Sequence, residues 1–352
     1  MNSSATVTTY LNSLKLYMQY YNIKEPDHLL QIDSKKTFEM IEDFIEYLRR
    51  KQQRSLSRIT SYLCALRLFY SVNDYNDLNW YTLNRFKGKE RKKMVNDRCY
   101  SREEIHKLLE HADLRMKVAI LVMASSGVRV GGLALIKIGD LEYIQEYRLY
   151  RMYVYSEDIG DKYYTFCTPE CAKYIDTYLE TRKRQFGEDI TTKDAPLIRK
   201  DTILTKNPFV KPRSIQERLR IITINAGIRK TRKIKEGIDD PVEIRRIRTE
   251  IMNCHGLRKF FDTVCIDSED MKHIPKELLM GHKKEQGLDR NYYRPTSDKL
   301  LNEYLKVVND LTINDENRLK FENEELHKKL EREFKPMQQD IEELYKILGV
   351  EK

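Results

Sequence analysis

The sequence predicts a mainly α-helical chain with a small β-hairpin or sheet, arranged as an N-terminal helical domain followed by a larger α+β domain. Apolar residues recur with a period near 3.6 over most of the chain, which is typical of helices packed on one face. A single region, around residues 147–166, alternates β-branched and aromatic residues about a polar turn. The length of 352 residues also exceeds what one compact core usually holds.

The same patterns set the expected domain boundaries. Residues 1–88 are expected to form the helical domain and residues 89–99 a basic linker. Residues 100–311 form the expected second domain, and residues 312–352 an amphipathic helix or a short coiled coil.

The chain carries an excess of basic residues. Lys and Arg number 64 against 55 Asp and Glu, which gives a formal net charge of +9. Such an excess suits a polyanionic partner, because each cation docked on a phosphate releases condensed counterions. A solvated basic surface without that role is equally consistent with the charge alone.

Cysteine usage and hydropathy predict a cytoplasmic protein. The six cysteines are scattered and form no disulfide framework, which favours a reducing compartment. Cys167 and Cys171 have the spacing of half a metal site, but no matching second pair follows, so structural thiols are the better interpretation. No apolar run reaches the roughly 18 residues of a membrane helix, and the N-terminus shows no secretory signal.

Within residues 1–88, apolar stripes separated by short polar turns indicate a bundle of four or five helices with basic faces. The clearest stripe runs from Phe38 to Leu48. Basic residues in this domain and in the linker are expected to lie along a DNA backbone, although a solvated charge run explains the linker equally well. The candidate contacts are Arg54, Arg58, Arg67, Lys87, Lys89, Arg91, Lys92 and Lys93.

The second domain opens with a helix start signal, in which Ser101 caps the first turn and Glu104 completes a capping box. A strongly apolar helix follows and ends at Gly127. The alternating segments after it predict a hairpin, whose turn contains Asp158, Gly160 and Asp161. From Ser214 onward the pattern is mostly helical, interrupted by a charged loop at residues 229–241.

The tail repeats apolar residues at steps of three, four or seven from Leu319 to Leu348, with Pro336 placed to kink the helix. A self-association or docking helix explains this pattern, and so does a helix folded back on its own domain.

Candidate catalytic residues begin with Arg129, which follows a glycine at the end of the apolar helix. A guanidinium held there is always charged and can bind two oxygens of one phosphate. His255 and Arg258 stand at positions i and i+3, so both are expected to project from one exposed helix face. Leu257, Phe260 and Phe261 are expected to pack the opposite face into the core.

Further along, His282 follows a glycine, and Tyr292 and Tyr293 come ten and eleven residues after it. Taken singly, each of these residues has an ordinary explanation: an isolated histidine is usually a core residue, and a pair of tyrosines is common in a chain with 23 of them. Their order in the chain is more specific than any one motif.

In that order the residues resemble the signature of the tyrosine recombinases, or phage-type integrases, and the archaeal integrases most closely. The family carries an arginine after a glycine, a lysine on a β-hairpin, a His-x-x-Arg motif, a Gly-His pair and a nearby tyrosine. Here these are Arg129, Lys162, His255 with Arg258, His282, and Tyr292 or Tyr293. The resemblance spans residues 100–305 and implies a helical core-binding domain followed by an α+β catalytic domain.

This chain departs from the family pattern at one position and leaves two assignments to placement. The family often has an acidic residue three positions after the first arginine, where this chain has Gly132, so what orients Arg129 is open. Lys162 is assigned by its position just after the hairpin turn. Tyr292 lies closer to the usual offset and is the preferred nucleophile, with Tyr293 as the alternative.

The resemblance implies a site-specific recombinase of mobile genetic elements that cleaves and rejoins double-stranded DNA through a covalent 3′-phosphotyrosine, without metal, ATP or another cofactor. Arg129 and Arg258 would hold the non-bridging oxygens, and Lys162 would protonate the departing 5′ oxygen. His255 would accept the tyrosine proton and His282 would hydrogen-bond the phosphate. It also implies a homotetramer on paired DNA sites, in which each subunit passes a C-terminal segment to its neighbour.

Two other functions remain open. A type IB topoisomerase nicks and reseals one duplex with a very similar residue set. A non-catalytic DNA-binding regulator would use the helical domain for DNA and the second domain for dimerisation, and it would have no reason to keep this order of residues.

Overall fold

A computed structural model describes residues 4–75, 77–88, 97–158, 160–187, 192–200, 207–229, 251–282 and 294–320, with scattered positions up to 336. Tertiary contacts divide these residues into an N-terminal unit, within residues 4–88, and a C-terminal unit, from residue 97 onward. Each unit has its own hydrophobic core.

The N-terminal unit is a helical bundle, as the apolar stripes predicted. The side chains of Asp33, Ser55 and Asn79 accept backbone N–H groups in the first turns of the second, third and fourth helices. The stripe from Phe38 to Leu48 faces the core, where Ile41, Phe44, Ile45 and Leu48 are buried. The helices are α1 Ser4–Tyr20, α2 Ser34–Glu46, α3 Leu56–Val72 and α4 Trp80–Phe86, with a 3₁₀ turn at Pro26–Gln31.

The C-terminal unit combines helices with one small sheet, so the described chain is mainly α-helical with a minor β component, as predicted. The elements before the middle of this unit are α5 Arg102–Glu110, α6 Leu114–Ser126, α7 Val130–Leu133, β1 Leu141–Ile144, β2 Leu149–Val154, β3 Tyr163–Phe166 and α8 Pro169–Phe186. Those after it are α9 Pro212–Asn225, α10 Asn253–Asp267, α11 His273–Leu279, α12 Ser297–Leu305 and α13 Val308–Leu311.

Helix α6 forms the centre of this unit. Nearly every residue along it is buried, because it packs against α8, α9 and α10 as well as β3, and a helix that is apolar all round belongs in a core. Its end at Gly127 and the capping box of Ser101 and Glu104 on α5 are both confirmed. Gly127 has φ +64°, and a Cβ there would lie 2.6 Å from the Phe261 ring on α10, so only glycine fits this turn.

The sheet is antiparallel in the order β1-β2-β3. The predicted hairpin corresponds to β2 and β3, with Val154 opposite Tyr163 and Arg151 opposite Phe166. Strand β1 was not predicted, because four residues are too few to show an alternating pattern. Met152 and Val154 point into the core, which fixes the sheet against the helices.

After α13 the chain is anchored by a buried carboxylate. Glu170, in the first turn of α8, accepts the N–H groups of Ile313 and Asn314 at 2.8 and 3.2 Å. Residues 315–320 are helical, and most of the predicted amphipathic tail beyond them lies outside the described residues. Where the chain is described, each helix is too short or too polar to cross a bilayer.

Candidate active site

Arg258 on α10 joins two separate turns of the C-terminal unit. Its Nη1 donates to the carbonyl oxygen of Gly127, and its Nη2 donates to the Met280 carbonyl at 2.9 Å and to His282 Nε2 at 2.6 Å. The first turn leads into Arg129 and the second contains His282. Three of the sequence-predicted residues therefore come together around one guanidinium.

The sequence placed Arg258 on an exposed helix face beside His255, and this was wrong. His255 is exposed, but Arg258 is only 5% exposed. A guanidinium can be buried when carbonyl oxygens satisfy its N–H groups, and the two turns supply those oxygens. The expected burial of Leu257, Phe260 and Phe261 is confirmed.

Arg129 is exposed and immediately precedes α7. Among the described residues it forms no hydrogen bond and no ion pair, yet its charge acts on the neighbouring site. Burial lowers the pKa of Arg258, and the positive charge of Arg129 lowers it further. In the described chain neither guanidinium forms an ion pair with a carboxylate, so the two positive charges make this a candidate site for an anion.

Gly132 explains why no acidic side chain follows Arg129 at the usual place. A Cβ at this position would lie 2.7 Å from Cγ1 of Val154 on β2, which is itself buried in the core. Helix α7 packs too closely on the hairpin for any side chain there, so no side chain at position 132 can orient Arg129.

His255 also lies on α10, close enough to Arg258 and Arg129 for their charges to act on its ring. Its pKa is lowered by partial burial and then by the positive charges of Lys259, Arg258 and Arg129, and the carboxylate of Asp97 opposes this. Asp97 Oδ2 forms an ion pair with Lys259 at 2.9 Å. A histidine with a lowered pKa is neutral near pH 7 and can accept a proton.

His282 is half-buried and has a carboxylate behind it. Its Nδ1 lies 2.6 Å from Oε2 of Glu277, which is 1% exposed. The other oxygen of Glu277 lies 2.7 Å from Nζ of Lys276, and Lys276 also pairs with Asp262 at 2.7 Å. A chain of charged and polar groups thus runs from Arg258 into the interior.

Tyr163, on β3, closes the site from the hairpin side. Burial raises the pKa of its phenol to about 12, while the charges of Arg258 and Arg129 act in the opposite direction. The hydroxyl is buried, and Arg258 is the charged group that acts on it most strongly. Its ring packs on Gly281, where a Cβ would lie 2.5 Å from the ring.

Lys162 precedes Tyr163 but does not contact the arginines in this structure. Its side chain is exposed, and the ammonium lies 5.5 Å from the centre of the Tyr153 ring. Tyr292 and Tyr293 lie outside the described residues, as do Lys89, Arg91, Lys92 and Lys93 of the predicted DNA contacts.

The four remaining predicted DNA contacts belong to the N-terminal unit. Arg58 and Arg67 lie on α3 and are exposed, and since each residue turns a helix by about 100°, they flank its exposed face from opposite sides. Lys87, just after α4, donates a hydrogen bond to the hydroxyl of Thr60 on α3 at 3.2 Å. Arg54 is half-buried and bonds to Gln52.

Sequence reasoning missed Glu277, Lys276 and Tyr163. Tyr163 is one of many tyrosines in the hairpin, and nothing in the local pattern distinguishes it. Glu277 had a usable signal, since it stands five residues before His282 across a glycine that ends a helix. In the described part of the chain, no group of three or more His, Cys, Asp or Glu side chains is placed to hold a metal ion.

No protein-family profile and no curated protein matches the chain. Solved structures do match. A lambda integrase (75-356) dimer bound to a COC' core site superposes with a TM-score of 0.52 at 14% identity, covering 84% of this chain and 90% of that one. The XerH site-specific recombinase in its post-cleavage complex with palindromic difH substrate gives 0.51 at 15% identity, covering 78% and 72%.

The C-terminal unit has the fold of a tyrosine recombinase catalytic domain. A lambda integrase tetramer bound to a Holliday junction gives the same TM-score of 0.52 at 14% identity, covering 86% of this chain and 73% of that one. At such identities the likeness shows the fold alone.

Proposed function

We propose that this protein is a site-specific DNA recombinase that cleaves and rejoins double-stranded DNA through a covalent 3′-phosphotyrosine. The observation that carries the proposal is the convergence of Arg258, Arg129, His255 and His282, from two turns and one helix of the C-terminal unit. The site offers two guanidinium groups and two imidazoles, which suits a backbone phosphate.

Arg129 and Arg258 would hold the non-bridging oxygens as negative charge grows on them during attack. A tyrosine hydroxyl, on Tyr292 or Tyr293, would attack the phosphorus and pass its proton to neutral His255. The P–O5′ bond breaks, and the 5′ oxygen takes a proton from the ammonium of Lys162. In this structure the ammonium lies over the Tyr153 ring, so it first has to move away from that ring.

The phosphotyrosine keeps the energy of the broken bond, so a 5′ hydroxyl can reverse the reaction without ATP. We extend the proposal to the integrases of mobile genetic elements, whose archaeal members the motif order resembles. Both units would contact phosphates, which the net charge of +9 supports. Assembly as a tetramer on paired sites is part of the same proposal.

The decisive experiment traps the covalent intermediate. A pool of short duplexes with a randomised core, nicked so that the released 5′-hydroxyl fragment diffuses away, is incubated with the protein. Adducts that survive denaturation are digested, and the DNA-bearing peptide is mapped by mass spectrometry. The expected peptide carries Tyr292. A peptide carrying Tyr293 moves the nucleophile by one residue, and the absence of any adduct contradicts the proposal.

Two variants serve as controls for that experiment. Tyr292→Phe is expected to abolish the adduct, whereas Tyr293→Phe is expected to keep it, because only one phenol can lie in line with the departing oxygen.

Plasmid relaxation measured beside recombination of paired sites separates the proposed function from a topoisomerase. Relaxation without recombination on any selected site would favour the topoisomerase.

A further inference from the structure

Glu277 holds His282 at two places. Helix α11 ends in a Schellman motif, in which Gly281 has φ +65° and its N–H donates to the Leu278 carbonyl at 3.0 Å. The N–H of His282 donates to the Glu277 carbonyl at 3.0 Å, which closes the motif. The two side chains therefore lie side by side, and Glu277 Oε2 reaches His282 Nδ1 at 2.6 Å. In a Schellman motif, an apolar contact usually joins the two positions that Glu277 and His282 occupy here.

The contacts of His282 require one tautomer. Arg258 Nη2 lies 2.6 Å from His282 Nε2, and a guanidinium can only donate hydrogen bonds. Nε2 therefore has to accept, which places the ring proton on Nδ1. Glu277 requires the same arrangement, because an ionised carboxylate only accepts. Two independent partners thus agree on where the proton lies.

The carboxylate that imposes this tautomer is itself fixed. Glu277 is 1% exposed, and a buried charge is tolerated only when it is paired. Lys276 binds its other oxygen at 2.7 Å, and Asp262 holds Lys276 from the far side at 2.7 Å. His273 approaches the same oxygen at 3.8 Å. These contacts leave Oε2 directed at His282.

We propose that Glu277 is a positioning residue of this site: it keeps the ring proton of His282 on Nδ1, so that Nε2 faces Arg258 and the bound phosphate. This inference rests on the proposed function. In the DNA-free protein Nε2 accepts from Arg258 and helps to aim that guanidinium. A direct hydrogen bond from Nε2 to a phosphate oxygen would need a proton on Nε2 as well, and Glu277 Oε2 would still accept from Nδ1–H.

The test combines ring spectroscopy with kinetics. Ring-¹⁵N-labelled histidine is incorporated, and the His282 signals, one set among seven histidines, are assigned by their loss in His282→Gln. In the DNA-free wild type, Nδ1 is expected to be protonated and Nε2 unprotonated. In Glu277→Gln only Arg258 still favours a proton on Nδ1. The amide can present either its oxygen or its NH₂ to Nδ1, so a part of the rings is expected to carry the proton on Nε2 instead. A fixed Nδ1–H signal in that variant overturns the proposal.

The same variant is measured on a trapped DNA substrate. Single-turnover cleavage is expected to fall by roughly 10- to 100-fold, the range found when the carboxylate behind a metal-bound histidine is removed. DNA affinity is expected to stay within about twofold, because phosphate contacts elsewhere dominate it. A loss of rate without a change of tautomer indicates a merely structural role and also overturns the proposal.

Glu303→Gln is the matched control. Glu303 on α12 is half-buried and touches the other end of α11, where it accepts the N–H of Lys272 at 3.0 Å. It does not touch the histidine, so the His282 signals and the cleavage rate are expected to remain as in the wild type. If Glu277→Gln fails to fold, the wild-type spectrum decides, since a proton on Nε2 in the DNA-free protein overturns the proposal.

These readouts separate the inference from the function on which it rests. The tautomer is measured on the protein alone and needs no reaction. A wild type that forms no adduct contradicts the recombinase, whatever its spectrum. A wild type that forms the adduct, with Glu277→Gln unchanged in both rate and spectrum, contradicts only the role of Glu277.

Discussion

At the scale of single residues, Arg258 combines a structural role with the catalytic role that we propose for it. Its guanidinium satisfies the carbonyl oxygens of Gly127 and Met280 inside the protein, and we propose that its charge also stabilises the phosphate. Buried carbonyls left without a donor destabilise the fold. The same residue is therefore expected to affect both stability and catalysis.

Arg258→Ala is expected to bind DNA but to cleave it roughly 10²- to 10³-fold more slowly, because one group that stabilises the transition state is lost. The free energy of unfolding should fall by about 1–3 kcal/mol, since two buried carbonyls lose a partner. Arg258→Lys keeps the charge without the planar fork and is expected to be intermediate in rate. Denaturant unfolding and single-turnover cleavage check both effects, and near-normal cleavage by Arg258→Ala would contradict the role.

The lowered pKa of His255 gives a pH-dependent prediction. The ring has to be neutral to accept a proton, so activity is lost as pH falls through its pKa, which lies below the ordinary value of about 6.5. Lys259→Gln removes a neighbouring positive charge and one cationic partner of the Asp97 carboxylate. Both changes raise the pKa of His255, so the acidic limb of the cleavage-rate profile should move to higher pH.

Lys107→Gln is the control for that profile, because Lys107 is an exposed lysine on α5 and is not among the charges that shift the pKa of His255. Its acidic limb is expected to coincide with that of the wild type. A limb that stays in place in Lys259→Gln, or that moves to lower pH, would show that His255 is not the group that titrates.

At the scale of elements, two left-handed glycines connect the helices to the site. Gly127 ends α6 just before Arg129, and Gly281 ends α11 just before His282. Each is also in close contact with an aromatic ring, Phe261 for the first and Tyr163 for the second. The turns therefore place the functional side chains and pack the core at the same time.

Gly281→Ala is expected to destabilise the protein by more than Gly227→Ala. Both residues have positive φ, +65° and +69°, and each substitution carries a backbone cost of about 1 kcal/mol. A Cβ at Gly281 would lie 2.5 Å from the Tyr163 ring, whereas nothing lies within 4 Å of one at Gly227. Thermal unfolding checks the difference. In a Tyr163→Ala background Gly281→Ala should cost less stability than it does in the wild type, because the clashing ring is gone. Equal losses for the two glycines in the wild type would contradict the packing.

Helix α3 presents its exposed face between Arg58 and Arg67, and Cys64 lies on that face. Cys64 is the one exposed thiol of the six cysteines, all of which lie in the described residues. If the arginines bind a DNA backbone, DNA is expected to slow the alkylation of Cys64 by a maleimide. In Arg58→Ala/Arg67→Ala this protection should disappear at the same DNA concentration. Equal alkylation with and without DNA in the wild type would place the DNA elsewhere.

At the scale of the whole molecule, the chain after α13 is held to α8 by the buried carboxylate of Glu170. The N–H groups of Ile313 and Asn314 bind this carboxylate, and the structure describes a helix over residues 315–320. The predicted amphipathic tail begins at this anchored point. Removing the tail beyond residue 320 leaves the anchor in place, so assembly can be tested without disturbing the fold.

Truncation after Lys320 is expected to lower the mass of the assembly on DNA, because the apolar stripe from Leu326 to Leu348 would be the surface through which copies associate. The melting temperature should stay near that of the full chain, since the contacts to Glu170 remain. Sedimentation with and without DNA measures the first quantity and calorimetry the second. An unchanged mass with a lower melting temperature would indicate a helix folded back on its own domain.

The sequence by itself determined the helical character, the capping box on α5, the end of α6 at Gly127, the hairpin of β2 and β3, and the order of the candidate residues. These features depend on neighbours a few positions apart, where periodicity and side-chain chemistry act directly. Strand β1 was too short to show such a pattern.

Only the tertiary structure decided that Arg258 is buried, that it joins turns 131 and 22 residues away, and that Glu277 lies behind His282. It also showed that Gly132 has no room for a side chain. The physical reason is that burial and long-range hydrogen bonds depend on how helices pack against one another, and local pattern carries no information about distances across the core.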